Sequence, residues 1–241
     1  MDLITADNML ALLALTALEI VLGIDNIVFI AILTGKLPAE QRPLARKLGL
    51  LFAMLTRILL LLCISWVMGL TDPLFKLIDH AFSGRDIVLF LGGLFLIAKA
   101  TFEIHDKIEG VGASSSKRAA KSFISAVIQI GILDVVFSLD SVITAVGMAE
   151  EIWVMIAAIV CAIGVMFLFA DAVSEFIERH PTIKILGLAF LLLIGVMLVA
   201  EGFGKHINKG YIYFAMGFSL LVELLNLRVI GEALSGDQDS P

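Results

Sequence analysis

Two stretches of this chain are near copies, and each sets two carboxylates inside an apolar run of membrane-spanning length. The first is Leu18-Glu19-Ile20-Val21-Leu22-Gly23-Ile24-Asp25-Asn26-Ile27, and the second is Leu133-Asp134-Val135-Val136-Phe137-Ser138-Leu139-Asp140-Ser141-Val142. At a fixed offset of 115 residues acid aligns with acid, Asn26 with Ser141 and Gly23 with Ser138. An acid at the bilayer centre costs roughly 2.5–3.5 kcal/mol on insertion scales, whereas each Leu, Ile or Val returns only about 0.3–0.6. Such a pattern, carried twice in matching places, points to acids that hold a cation.

The composition agrees with a membrane chain. Apolar residues make up 60% of the sequence and charged residues 17%, and the mean hydropathy is +1.03. The net charge of −6 carries little information about partners, and nothing in the sequence suggests a nucleic-acid ligand. Cys63 and Cys161 lie in separate apolar segments, a pattern that supports neither a disulfide framework nor a thiolate metal site. With about 20 apolar residues needed per crossing, seven spans are expected: 9–33, 48–70, 86–105, 122–148, 152–174, 183–204 and 211–228. No basic region precedes the first apolar run, so the first helix is expected to act as the targeting element.

Loop charges set an expected orientation. Lys36, Arg42, Arg46, Lys47, Lys107, Lys117, Arg118, Lys121, Arg179, Lys184 and Arg228 fall on one side, against Lys76, Arg85, Lys205 and Lys209 on the other. The positive-inside rule then puts the N-terminus outside and the C-terminus in the cytoplasm. Trp66, Trp153, Tyr211 and Tyr213 all fall at expected outer helix ends, as an interfacial aromatic belt requires. An odd number of helices per unit makes the two copies inverted, as in many secondary transporters. The expected fold is therefore all-α integral membrane, with two inverted three-helix repeats (1–106 and 122–206) joined by a Gly/Ala/Ser-rich cytoplasmic linker (107–121). A seventh helix (207–228) and a disordered cytoplasmic tail (229–241) complete it.

At about 1.5 Å per residue, Glu19 and Asp134 fall near mid-membrane, while Asp25 and Asp140 are displaced toward opposite sides. Glu19 and Asp25 are about 240° apart on a regular helix, so both line one cavity only if the helix breaks or bulges near Gly23, and its counterpart near Ser138. The competing reading makes these acids polar glue between helices. Carboxylate, amide and hydroxyl oxygens suit hard divalent cations such as Mg²⁺, Ca²⁺ and Mn²⁺, with Na⁺ or protons left open. His80, His105, His180 and His206 all sit at span ends or in loops. Arg57, deep in the second span, is expected to serve as counter-ion to an acid. Lys99 and Glu103, spaced i and i+4, read as a pair, and Glu201 and Glu223 as vestibule or helix-joining residues. Asp171, Glu175 and Glu178 read as interfacial.

The sequence resembles the TerC family of bacterial membrane proteins, within the broader LysE-like transporter group. The residues that carry the resemblance are Glu19…Gly23-Ile24-Asp25-Asn26, Asp134…Phe137-Ser138-Leu139-Asp140-Ser141, Lys99…Glu103-Ile104-His105 and Lys209-Gly210-Tyr211-Ile212-Tyr213-Phe214-Ala215-Met216. It runs from about Leu10 to Arg228, and the short form without a large soluble domain is expected. The resemblance implies a multi-pass inner-membrane protein, with an association of the family with manganese export and tellurium resistance. Its acidic motif falls on Glu19, Asp25, Asn26, Asp134, Asp140 and Ser141. The resulting expectation is a secondary carrier, not an enzyme, that exports Mn²⁺ through these residues and holds no resident cofactor. Arg57, Lys99, Glu103, Glu201 and Glu223 are candidate coupling or counter-ion residues. Two other classes stand beside it. An intramembrane aspartyl protease would also place two aspartates in the membrane, but Asp25 follows Gly-Ile and Asp140 follows Ser-Leu where that class uses Tyr-Asp and Gly-x-Gly-Asp. A non-transporting membrane partner or stress-assembly protein is the other. Partners are the bilayer and a divalent ion, with homo-oligomerisation open.

Overall fold

The computed structural model describes the backbone of residues 5–77, 80–109, 123–148 and 151–236; the side chains of Ile24, Asp25, Ser65, Leu77, His80, Asp140, Met148 and residues 230–236 lie outside the described residues. The chain forms eight α-helices and one short hairpin among these residues. The helices are α1 (Ala6–Thr34), α2 (Arg42–Leu62), α3 (Ile64–Gly69), α4 (Gly84–Ile108), α5 (Phe123–Met148), α6 (Ile152–Arg179), α7 (Pro181–Gly202) and α8 (Lys209–Gly236). The hairpin strands are β1 (Pro73–Leu77) and β2 (His80–Ser83).

Local chemistry explains most of the boundaries. Thr5 caps α1 by accepting a hydrogen bond from the Asn8 amide at 3.2 Å. Ser83 and Asp86 form a capping box at the start of α4, with the Asp86 carboxylate accepting from the Ser83 amide at 2.9 Å. Pro181 sits in the first turn of α7, where its missing N–H is no loss and its fixed φ favours the helix. The hairpin closes one end of the bundle through aromatic contacts: Phe75 stacks on Phe82 at 5.4 Å, and Phe203 meets Phe82 and Phe90 edge-on.

Six helices, α1, α4, α5, α6, α7 and α8, are long and apolar enough to cross a membrane. The chain is thus an all-α integral membrane protein. The expected span 48–70 departs from that reading. It appears as α2 and α3, with the regular helix interrupted at Cys63 (φ −91°, ψ 27°). Arg42, Arg46, Lys47 and Arg57 make α2 too polar to count as a span by composition, yet it packs inside the bundle against α5 and α6. The tail assignment shifts as well, because α8 continues to Gly236 and leaves 237–241 outside the described residues. Most of the 107–121 linker lies outside them too.

The largest interfaces pair α4 with α7, α1 with α6 and α2 with α5. Small residues set how closely these pairs approach. A Cβ on Gly93 would lie 2.6 Å from the Gly195 carbonyl oxygen, and one on Gly195 would lie 3.0 Å from that of Gly93. At Gly23 a Cβ would lie 2.0 Å from Met166 Cε, which makes this glycine a seat for α6. The helix break expected at Gly23 and Ser138 is not found, since α1 and α5 are regular α-helices through both positions. One large apolar core runs through α1, α2 and α4 to α7, while α8 buries little beyond Met216.

Candidate cation site

Arg57 lies midway along the bundle on α2 and is 3% exposed. Its Nη1 donates to Glu19 of α1, and its Nη2 and Nε donate to Asp134 Oδ1 of α5 at 2.8 and 3.2 Å. The two acids, 3% and 2% exposed, thus share one guanidinium. They are the pair that the sequence offset equates. Neutral groups complete the surroundings of Asp134. Asn26 Nδ2 donates to Oδ1 at 3.1 Å, and the Thr56 and Ser138 hydroxyls each donate to Oδ2 at 3.1 Å. Ser138 also reaches back to the Asp134 carbonyl oxygen at 2.5 Å.

A forked guanidinium that binds two carboxylates satisfies the geometry of a buried ion pair better than a lysine would. The charge does not close, however. With both acids ionised, Glu19, Asp134 and Arg57 carry one more negative than positive charge. An uncompensated charge in a low-dielectric interior is costly, so the site has a use for one further cation or proton. Its donors are hard oxygens, the chemistry of Mg²⁺, Ca²⁺ and Mn²⁺.

Two small cavities meet at Arg57. One, of about 10 Å³, is lined by Asn26, Ile30, Ala53, Asp134 and their apolar neighbours on the side of the α2 N-terminus. The other, of about 40 Å³, is lined by Leu22, Phe137, Ser141, Lys209 and Tyr213. Arg57, which lines both, stands between them.

The remaining sequence-derived candidates are distributed as follows. Ser141 is buried, donates to the Ser138 carbonyl at 3.2 Å and edges the larger cavity. Asp25 and Asp140 have side chains outside the described residues. Among the described residues, no group of three or more His, Cys, Asp or Glu lies close enough to hold a metal. Lys99 and Glu103 do pair, at 2.9 Å, but at the far end of α4, where Lys36 takes the other Glu103 oxygen. Glu201 belongs to the opposite end, with Arg85 at 3.8 Å. Glu223 is half-buried on α8 and does not join the central cluster. Thr56 is a member that sequence reasoning missed, its only signal being its place directly before Arg57. Lys36 was missed as a partner for Glu103 in the same way.

The bundle and its buried ion cluster define a multi-span membrane protein with a polar centre. The match to known families is direct: residues 4–235 match the integral membrane protein TerC family. The chain belongs to that family. It is 55% identical over 221 residues to the UPF0053 protein of Haemophilus influenzae, covering 91% of this chain and 93% of the relative. It is 54% identical over 218 residues to the UPF0053 inner membrane protein YgdQ of Escherichia coli K12, covering 90% and 92%. The same identity links it to E. coli YoaE over 216 residues, 89% of this chain but 42% of that longer protein. No solved structure matches the chain.

Proposed function

We propose that this protein is an inner-membrane secondary carrier that exports a hard divalent cation, Mn²⁺ first, by alternating access. The observation that carries the reading is the meeting of Glu19 and Asp134 on Arg57. Acids at equivalent positions of two like segments, on different helices, converge inside the bundle and leave a deficit of one positive charge.

The helix pairing supports inverted repeats. A two-fold operation exchanging α1 with α5, α2 with α6 and α4 with α7 turns the α1–α6 interface into α5–α2 and maps α4–α7 onto itself, which are the three largest interfaces. In this reading α2 and α3 together make the seventh crossing, with the N-terminus outside and the basic end of the bundle in the cytoplasm. Relatives named as inner membrane proteins support the location. The identity of Mn²⁺ and the outward direction rest on the family resemblance. Glu19 and Asp134, with Asn26, Ser141, Asp25 and Asp140, are assigned to the metal path, and the spare negative charge to proton coupling.

Purified protein in liposomes loaded with a Mn²⁺-sensitive dye tests this without other components. The expected result is Mn²⁺ flux in wild type, abolished in Asp25→Asn and Asp140→Asn, with Mg²⁺, Ca²⁺ and Zn²⁺ tested as competitors. Absence of flux under either a proton gradient or a membrane potential would favour the partner-protein reading.

A further inference from the structure

The guanidinium of Arg57 already does to Glu19 and Asp134 what an arriving cation would do. Nη1 faces one acid, and Nε and Nη2 face the other, so the fork spans both helices. Arginine keeps its charge even when desolvated, so this cation cannot be lost by deprotonation. Arg57 also borders both cavities. The larger, about 40 Å³, is lined mostly by apolar side chains, with Ser141, Lys209 and Tyr213 as its polar edge.

A carrier that exports must return without its metal. Two bare carboxylates in a closed interior make that step prohibitive, because uncompensated charge would have to pass through the low-dielectric centre. We propose that Arg57 is a tethered stand-in for the cargo: it fills the Glu19–Asp134 pair in the metal-free carrier, leaves a single negative charge for the coupled proton to neutralise on the return, and is displaced from at least one carboxylate by the divalent cation. The proposal rests on the carrier reading and adds what that reading lacks, namely how the site crosses unloaded. It also separates two processes that a structural salt bridge would not. Loaded exchange needs only the cargo, whereas net export needs Arg57.

The test uses full-length protein in liposomes with Mn²⁺ as the probe, and measures two rates. One is net efflux into Mn²⁺-free medium; the other is exchange of isotopic Mn²⁺ at equal concentrations on both sides. In Arg57→Gln, exchange is retained while net efflux falls by about a hundredfold. Arg57→Lys recovers part of the net efflux. Loss of exchange and net efflux in parallel, in Arg57→Gln and Arg57→Lys alike, overturns the proposal by giving Arg57 a structural role only. Unchanged net efflux in Arg57→Gln overturns it also. Wild-type liposomes with neither process would instead sink the carrier reading, and this proposal with it.

Discussion

Asp134 and Glu19 share Arg57, but their surroundings are unequal. Asp134 accepts from Arg57, Asn26, Thr56 and Ser138, whereas Glu19 has Arg57 as its hydrogen-bond donor among the described residues. Asp134 is therefore the more firmly held of the two acids. Asp134→Asn is expected to destabilise the protein by about 3 kcal/mol, because it strips a buried guanidinium of its main partner. Glu19→Gln should leave the fold nearly intact while lowering Mn²⁺ flux. Thermal unfolding in detergent, run beside the liposome assay, checks both; equal melting losses in the two variants would contradict the asymmetry. Thr56→Val should cost only about 1 kcal/mol, the net worth of one hydrogen bond. At this scale the sequence was informative about charge and only partly about hydroxyls: it marked Ser141, and it did not mark Thr56. Acids and an arginine in apolar helices are conspicuous because each is costly. Thr56 and Ser138 are cheap to bury anywhere, and only the azimuth at which α2 meets α5 reveals their use.

Helix packing divides the sequence signals differently. Six spans followed from length and hydropathy, but the chain around Cys63 did not, since no Gly or Pro marks the interruption between α2 and α3. The reading of Gly23 as a break failed for a physical reason: a glycine in a membrane helix serves close approach as readily as a kink, and Met166 occupies the space that a Cβ would need. The α4–α7 crossing makes the same point more strongly, because backbone faces backbone at Gly93 and Gly195. Gly195→Val is expected to overpack this crossing and to cost about 1–3 kcal/mol, read as a lower melting temperature in detergent. A surface control such as Leu220→Val on α8 should change little. The crossing count is testable by topology. If α2 and α3 complete a seventh crossing, reporters fused after residue 236 and before residue 5 lie on opposite sides of the membrane. Six crossings would place both reporters on the same side.

At the level of the whole bundle, ion pairs tie two helices together at one end. Arg42 binds Glu178 at 2.6 Å and Arg46 binds Asp171 at 2.8 Å, so the start of α2 is tied to the end of α6. Beneath them lies the smaller cavity, lined by Ala53 and Asp134. The sequence showed these charges as interfacial residues. Only the fold shows that they face each other across the two halves of the molecule. Asp171 is more than half exposed, so the Arg46 pair is worth only about 0.5–1 kcal/mol. In the proposed carrier a latch of that strength suits a gate, which must open on every cycle. Asp171→Asn should therefore shift the closed–open balance at this end by roughly two- to fivefold. Ala53→Cys reports it directly, in a background where the exposed, free Cys63 and Cys161 are replaced. Maleimide labelling of Ala53→Cys from that side should rise by this factor in Asp171→Asn. The charge swap Arg46→Asp/Asp171→Arg should return labelling toward the starting rate, because it restores attraction without restoring either original residue. Equal labelling in all three proteins would mean that the closure at this end is set by apolar packing of α2 on α6, and that the ion pairs follow the gate without holding it.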